Sequence, residues 1–282
     1  MIFWIASYPK SGNTWVRSLL SSYYYTNDGI FNQKLLANIE QFPQKKYFAN
    51  FKYNPSLVGD TAKHWIKAQE KINLDNKIRF LKTHNSLSVI NGFQFTDPKN
   101  TIGCIYVIRD PRNVITSIKN HFELNNEEAL KFMMNEKKFT YDFHSVKDYS
   151  DFQFISSWEN NYKSWKNQSL IPVKFIKYED LIDKTFIIFK EIVEFINKLS
   201  NVENKFNKKK ALNSVRTTSF NNLSNLEKKQ GFIESVISKN EKKKIPFFHL
   251  GPENDWKKLL DENLKKELFD IFRENLKDLN YP

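Results

Sequence analysis

The chain has 282 residues, of which 40 % are hydrophobic and 27 % charged, which excludes a disordered polar chain and allows one large core or two modest ones. Its formal net charge of +12 calls for anionic partners (nucleotide phosphates, sulfate, nucleic acid or an anionic membrane surface), while lysine runs such as 208–210 and 242–244 also read as solvated surface. The single cysteine, Cys104, rules out an intramolecular disulfide, and five histidines (64, 84, 121, 144 and 249) without short ligand spacing give no zinc pattern, so no metal is expected. No uncharged stretch approaches the ~20 residues of a spanning helix, and the apolar run 2–6 is too short for a signal peptide. A cytoplasmic chain is the expectation.

In chain order, four short runs rich in Ile, Val and Phe read as buried strands: Ile2–Ala6, Ile78–Leu81, Ile102–Ile108 and Val173–Ile176. Helical periodicity fills the intervals. Asn13–Tyr24 carries Trp15, Leu19, Leu20 and Tyr23 at helical spacing, and a second helix starts at Asp110-Pro111, an N-cap followed by proline. Further helices are expected over Asp60–Lys71, Asp151–Lys166, Thr185–Leu199 and Lys257–Leu276. Alternating strands and helices without a composition break predict one α/β domain over residues 1–282, a parallel sheet flanked by helices. Two aromatic stretches, 41–55 and 123–149, the second with Phe139, Tyr141 and Phe143, either line an acceptor pocket or pack onto the core.

The densest chemistry follows the first strand. Tyr8-Pro9-Lys10-Ser11-Gly12-Asn13-Thr14-Trp15 runs from a strand through a tight turn into a helix. Unpaired N–H groups and the helix dipole favour an anion there, Ser11 and Thr14 add hydroxyls, and Lys10 adds a full charge. The nucleotide-triphosphate P-loop places its lysine after the second glycine, whereas here Lys10 precedes Gly12. The third strand ends Val107-Ile108-Arg109 without an acidic magnesium ligand, which weighs against a kinase or ATPase.

The segment Tyr8–Trp15 resembles the 5′-phosphosulfate loop, YPKSGTTW, of sulfotransferases that use 3′-phosphoadenosine 5′-phosphosulfate (PAPS), with Asn13 as the one departure. Four more matches follow in the family's order. Lys82-Thr83-His84 resembles the KTH segment with the catalytic histidine. The run Tyr106–Ser117 resembles the 3′-phosphate segment, with Arg109 and Ser117 as its ligands. Lys177-Tyr178-Glu179-Asp180-Leu181 resembles YEDL, its tyrosine near adenine. Thr218-Ser219-Phe220 resembles a TSF segment near adenine, followed by 251–257, which is similar to RKGxxGDWK. Where the family has Arg-Lys before that glycine, this chain has His249-Leu250 before Gly251.

The resemblance implies a P-loop-like fold, PAPS as cofactor with adenosine 3′,5′-bisphosphate (PAP) as its product, and a set of site residues. His84, Lys10 and Lys82 would be catalytic. Lys10, Ser11, Gly12, Asn13, Thr14, Trp15, Arg109, Ser117, Tyr178, Thr218, Phe220, His249 and Gly251 would hold the nucleotide. The acceptor stays open among small molecules, saccharides and lipids. Sulfuryl transfer is a loose in-line displacement governed by positioning and electrostatics, as phosphoryl transfer is. Lys10 can neutralise the departing phosphate, Lys82 the sulfuryl oxygens, and His84 can take the acceptor's proton, since histidine titrates near neutrality. The alternatives are an inactive nucleotide-binding module or a basic nucleic-acid-binding protein; no helix-turn-helix, RNA-recognition or zinc signature supports the latter.

Overall fold

The computed structural model describes residues 1–141, 147–201, 206–238 and 243–282. Five strands, β1 (Ile2–Ser7), β2 (Glu40–Gln41), β3 (Arg79–Thr83), β4 (Thr101–Ile108) and β5 (Val173–Lys177), form one parallel sheet in the order β2-β3-β1-β4-β5. All six residues of β1 are buried, because helices cover both faces of the sheet. Phe3 and Ile5 pack on one side with Val16, Leu19 and Leu20 of the helix Asn13–Tyr25 and with Phe189, Ile192 and Val193 of the helix Thr185–Ser200. Ile2, Trp4 and Ala6 pack on the other with Val114, Ile115 and Ile118 of the helix Pro111–Phe122, Trp158, Tyr162 and Trp165 of the helix Trp158–Lys166, and Leu268 and Phe272 of the helix Glu262–Asp278.

The four expected strands are present within a residue or two. The fifth, β2, is two residues, Glu and Gln, paired through the backbone to Leu81 and Lys82, so it leaves no apolar trace. The helix over Asp60–Lys71 begins as a 3₁₀ turn, Asp60–His64, before Trp65–Ile72. The expected helix Asp151–Lys166 starts later, at Trp158, capped by Ser157. Residues before it stay extended because Gln153 and Phe154 bond the loop after β3. The last helix is broken at Leu260-Asp261, where the Asp261 side chain accepts from the Leu264 N–H and starts a new helix. Periodicity also missed four helices: Asn126–Met134, Tyr178–Asp183, Lys208–Thr217 and Phe220–Gln230.

Candidate active site

A cavity of about 1910 Å³ opens at the carboxyl ends of β1, β3 and β4. This is a switch point, where the chain leaves β1 for one side of the sheet and later returns to the other. Lys10, Gly12, Asn13, Thr14 and Trp15 line it from the turn after β1, Lys82 and His84 from the end of β3, and Arg109 and Ser117 from the end of β4 and the helix beyond. Tyr178, Phe220, His249 and Gly251 complete the predicted set on its wall. Two predicted residues stand behind the wall. Ser11 and Thr218 are fully buried, and the Thr218 hydroxyl donates to the Ser214 carbonyl at 2.8 Å inside its own helix.

The turn has a demanding backbone. Lys10 has φ 65° and Gly12 φ 103°, and a Cβ on Gly12 would lie 2.4 Å from Cδ2 of Tyr178, so only glycine fits. The Asn13 amide donates to the Ile5 carbonyl at 2.9 Å and to Ser7 Oγ at 3.2 Å, fastening the turn to β1. Lys10 Nζ lies 3.9 Å over the Phe247 ring. Burial pulls its pKa down to about 7; Glu234 works to raise it, while Arg109 and Lys82 lower it further.

Arg109 forms the second corner. Its Nη1 donates to Ser117 Oγ at 3.2 Å and to the Lys10 carbonyl at 3.1 Å, and its guanidinium lies 4.3 Å over the Tyr178 ring. The Asn254 amide donates to Ser117 Oγ at 3.0 Å and to the Asn113 carbonyl at 3.0 Å. Trp256 docks the same stretch, its N–H on Asn113 Oδ1 and its ring under Arg112, which is itself paired with Asp110. Asn254, rather than the expected Arg-Lys pair, is therefore the polar side chain this stretch brings to Ser117. Glu179 accepts from the Asp110 N–H at 3.1 Å and from the Tyr281 hydroxyl at 3.0 Å, so the acidic member of the Tyr-Glu-Asp-Leu run braces the corner.

His84 has both backbone groups held by side chains. Its N–H donates to Gln153 Oε1 at 2.8 Å and its carbonyl accepts from Asn161 Nδ2 at 3.0 Å. Its Nδ1 lies 2.7 Å from the Ser7 carbonyl, which can only accept, so Nδ1 carries the proton and Nε2 keeps the lone pair. Burial, then the neighbouring Lys82, lowers the histidine to about 3. The buried surroundings thus favour the neutral ring, in contrast to the near-neutral titration expected from residue type. Lys82 is also lowered by burial.

Several residues here left no motif. Glu234 reaches into the site from the covering segment, accepting from Thr14 Oγ1 at 2.7 Å and pairing with Arg17. Arg17 lies three residues after Thr14, a helical spacing that puts both on one face and could have singled it out; Asn254 lies within the 251–257 run already singled out, while Glu234, Gln153 and Asn161 carry no such signal. The segment 227–244 is anchored by Phe232, buried against Phe31, Leu36 and Leu223. Its Lys239 and Lys242 lie outside the described residues, as do Phe143 and His144. Of the first aromatic stretch, Phe42 and Phe48 are fully buried in the core, and its Gln41 and Gln44 line the cavity. The second stretch presents Phe132, Phe139 and Tyr141 to the cavity together with Lys137 and Lys138.

Ser11 Oγ, Trp15 Nε1 and Arg109 Nε are buried without a partner among the described residues. Buried donors of this kind fit a polyanionic nucleotide laid along the turn. Among the described residues no cluster of three or more His, Cys, Asp or Glu side chains could hold a metal, and no helix is long and apolar enough to cross a membrane.

Comparison with known proteins places this architecture. The sulfotransferase domain family matches residues 2–280. The chain is 24 % identical to luciferin sulfotransferase of Photinus pyralis, covering 92 % of this chain and 67 % of the relative. It is 23 % identical to sulfotransferase 1E1 of Rattus norvegicus, covering 97 % and 83 %. Among solved structures, a mouse sulfotransferase in complex with PAP superposes with a TM-score of 0.59 at 18 % identity, over 98 % of this chain and 84 % of that one. Retinol dehydratase in complex with retinol and PAP gives 0.62 at 16 % identity, over 98 % and 81 %. With the family matched from the first strand to the last helix, the chain belongs to the sulfotransferases and is a PAPS-dependent enzyme.

Proposed function

We propose that this enzyme, acting as one unit over residues 1–282 in the cytoplasm, transfers a sulfuryl group from PAPS to a hydroxyl or amine of a small-molecule, saccharide or lipid acceptor. The observation that carries the reading is the His84 ring, locked by the Ser7 carbonyl with Nε2 as its basic atom in the same cavity as Lys10, Lys82 and Arg109. PAPS supplies an activated sulfuryl group on a nucleotide phosphate. Thr14 and Lys10 are suited to its 5′ end, Arg109 and Ser117 to its 3′-phosphate, and Trp15, Tyr178 and Phe220 to the base, while the buried Ser11 supports the turn from behind. Asn13 and Gly12 shape the turn, and His249 and Gly251 close the 3′ side.

In the transfer, a bond forms between the acceptor heteroatom and sulfur while the bond from sulfur to the phosphate oxygen breaks. The acceptor proton passes to His84 Nε2, and the electron pair leaves with the phosphate, whose new charge Lys10 neutralises. Lys82 holds the sulfuryl oxygens. No metal takes part, since the cations that balance the charge are side chains. Retinol dehydratase is recorded with retinol, an alcohol; the acceptor side here adds Gln41, Gln44, Lys137 and Lys138 to Phe132 and Phe139, which favours a hydroxyl compound with further polar groups. The test is transfer of labelled sulfate from PAPS, in EDTA, to panels of phenols, alcohols, saccharides, lipids and amines. Labelled product with release of PAP is expected. No transfer to any panel, despite tight nucleotide binding, would favour an inactive nucleotide-binding module.

A further inference from the structure

The cations of the site converge on one carboxylate of the chain itself. Glu234 accepts from Thr14 Oγ1 at 2.7 Å and from Arg17 Nη1, and its Oε1 is 3.9 Å from Lys82 Nζ. Its side chain is 22 % exposed, against 6 % for Arg17 and 12 % for Lys82. Burial opposes its ionisation, yet Lys82, Arg17 and Thr14 together hold it well below the usual carboxylate range. Arg17 is independently fixed, since its Nη2 donates to the carbonyls of Leu36 at 3.3 Å and Ile39 at 3.0 Å. The guanidinium therefore stays in place when its partner leaves.

A carboxylate and a terminal phosphate or sulfate oxygen seek the same charged donors. We propose that Glu234 occupies the phosphosulfate position of the free enzyme, so that nucleotide and carboxylate compete for the same donors, and that Arg17, once vacated, becomes a further ligand of the transferring group. The inference rests on the nucleotide reading given above. It assigns Arg17 a role for which the sequence offers no motif. Two consequences follow. Apparent nucleotide affinity is reduced by the fraction of molecules in which Glu234 is seated. Removing the carboxylate leaves Arg17 and Lys82 facing each other, which destabilises the unliganded fold.

Calorimetry with PAP and with PAPS on the full chain, its Glu234→Gln, Glu234→Asp and Arg17→Gln variants, tests this. Glu234→Gln is expected to bind PAP about ten-fold tighter, with a lower Tm that saturating PAP restores. Glu234→Asp keeps the charge but loses reach, so a smaller, few-fold tightening is expected; it serves if the glutamine variant fails to fold. Arg17→Gln is expected to lose at least about ten-fold for PAPS and clearly less for PAP. PAP affinity at or below wild type in either Glu234 variant overturns the competition. Equal losses for PAPS and PAP in Arg17→Gln overturn the second half. A wild-type protein that binds neither nucleotide would instead sink the nucleotide reading. In that case inorganic pyrophosphate, bound more tightly by Glu234→Gln than by wild type, would still support displacement, and equal binding would oppose it.

Discussion

The turn after β1 and the segment that covers it face the same cavity but are held by different means. The turn is fixed by its backbone conformation, with a left-handed Lys10 and a Gly12 pressed against Tyr178, and by the Asn13 side-chain amide bonded back to β1. The covering segment pairs Val236–Ile237 with Lys244–Ile245 through its own backbone, and side chains tie it to the rest of the site. Glu227 accepts the Phe247 N–H at 2.7 Å and the Phe248 N–H at 2.9 Å, Phe232 packs into an aromatic cluster, and Glu234 bonds Thr14. Backbone-built sites are rigid before ligand arrives, whereas side-chain tethers can be exchanged for ligand contacts. On the proposed reading, the turn would supply pre-organised binding and the covering segment control of access.

The largest effect is expected just beyond the turn, at the end of β3, where His84 is the proposed base. His84→Ala should slow single-turnover transfer about 10²- to 10⁴-fold while PAP affinity stays near wild type, because no nucleotide contact is assigned to the ring. Unchanged transfer would move the base elsewhere. Next in size, Arg109→Ala should weaken PAP about ten- to a hundred-fold, the worth of a charged hydrogen bond, and leave adenosine 5′-phosphate nearly untouched. Equal losses would show that Arg109 does not read the 3′-phosphate.

Gly12→Ala attacks the turn itself. A side chain at φ 103°, 2.4 Å from Tyr178, should cost about 1–3 kcal/mol of stability, read as a fall in Tm; a neutral result would contradict the rigid turn. The smallest effect is one of pH. Lys10 has a pKa of about 7 in the free enzyme, and nucleotide phosphates favour its charged form. Binding should therefore take up a proton, and PAP affinity should fall several-fold as pH rises from ~7 to ~8. Calorimetry in buffers of different ionisation heats checks the uptake, and affinity independent of pH would place Lys10 away from the phosphates. His84, at about 3, should show no NMR titration between roughly pH 5 and 8.

The same division explains what the sequence disclosed. Apolar runs located four of the five sheet strands: β1, β3 and β4 are central and largely buried, and the edge strand β5 still carries Val173, Phe175 and Ile176, while β2 is a two-residue edge of polar residues. The site residues that follow strands, Lys10, His84 and Arg109, were legible because local order fixes where they point. Thr218 looked like a contact but is turned into its helix, a choice of hydroxyl partner that residue type does not reveal. Glu234 and Asn161 reach the site across long sequence separations, through packing alone, whereas Asn254 lies in the 251–257 run that the sequence did single out, although not as a partner of Ser117. Periodicity overextended the Asp151–Lys166 helix because it could not register the hydrogen bonds from 153 and 154 to the loop of His84.

The central claim is that the nucleotide lies along the turn with its 3′-phosphate at Arg109 and its 5′ end at Thr14. A crystal structure of the enzyme with PAP bound tests it most directly. The account predicts the 3′-phosphate within hydrogen-bond distance, ~2.7–3.2 Å, of Arg109 and Ser117, the 5′-phosphate at Lys10 and Thr14, and Glu234 withdrawn from both. PAP bound in the reverse sense, or bound elsewhere with Glu234 still on Thr14 and Arg17, would contradict it.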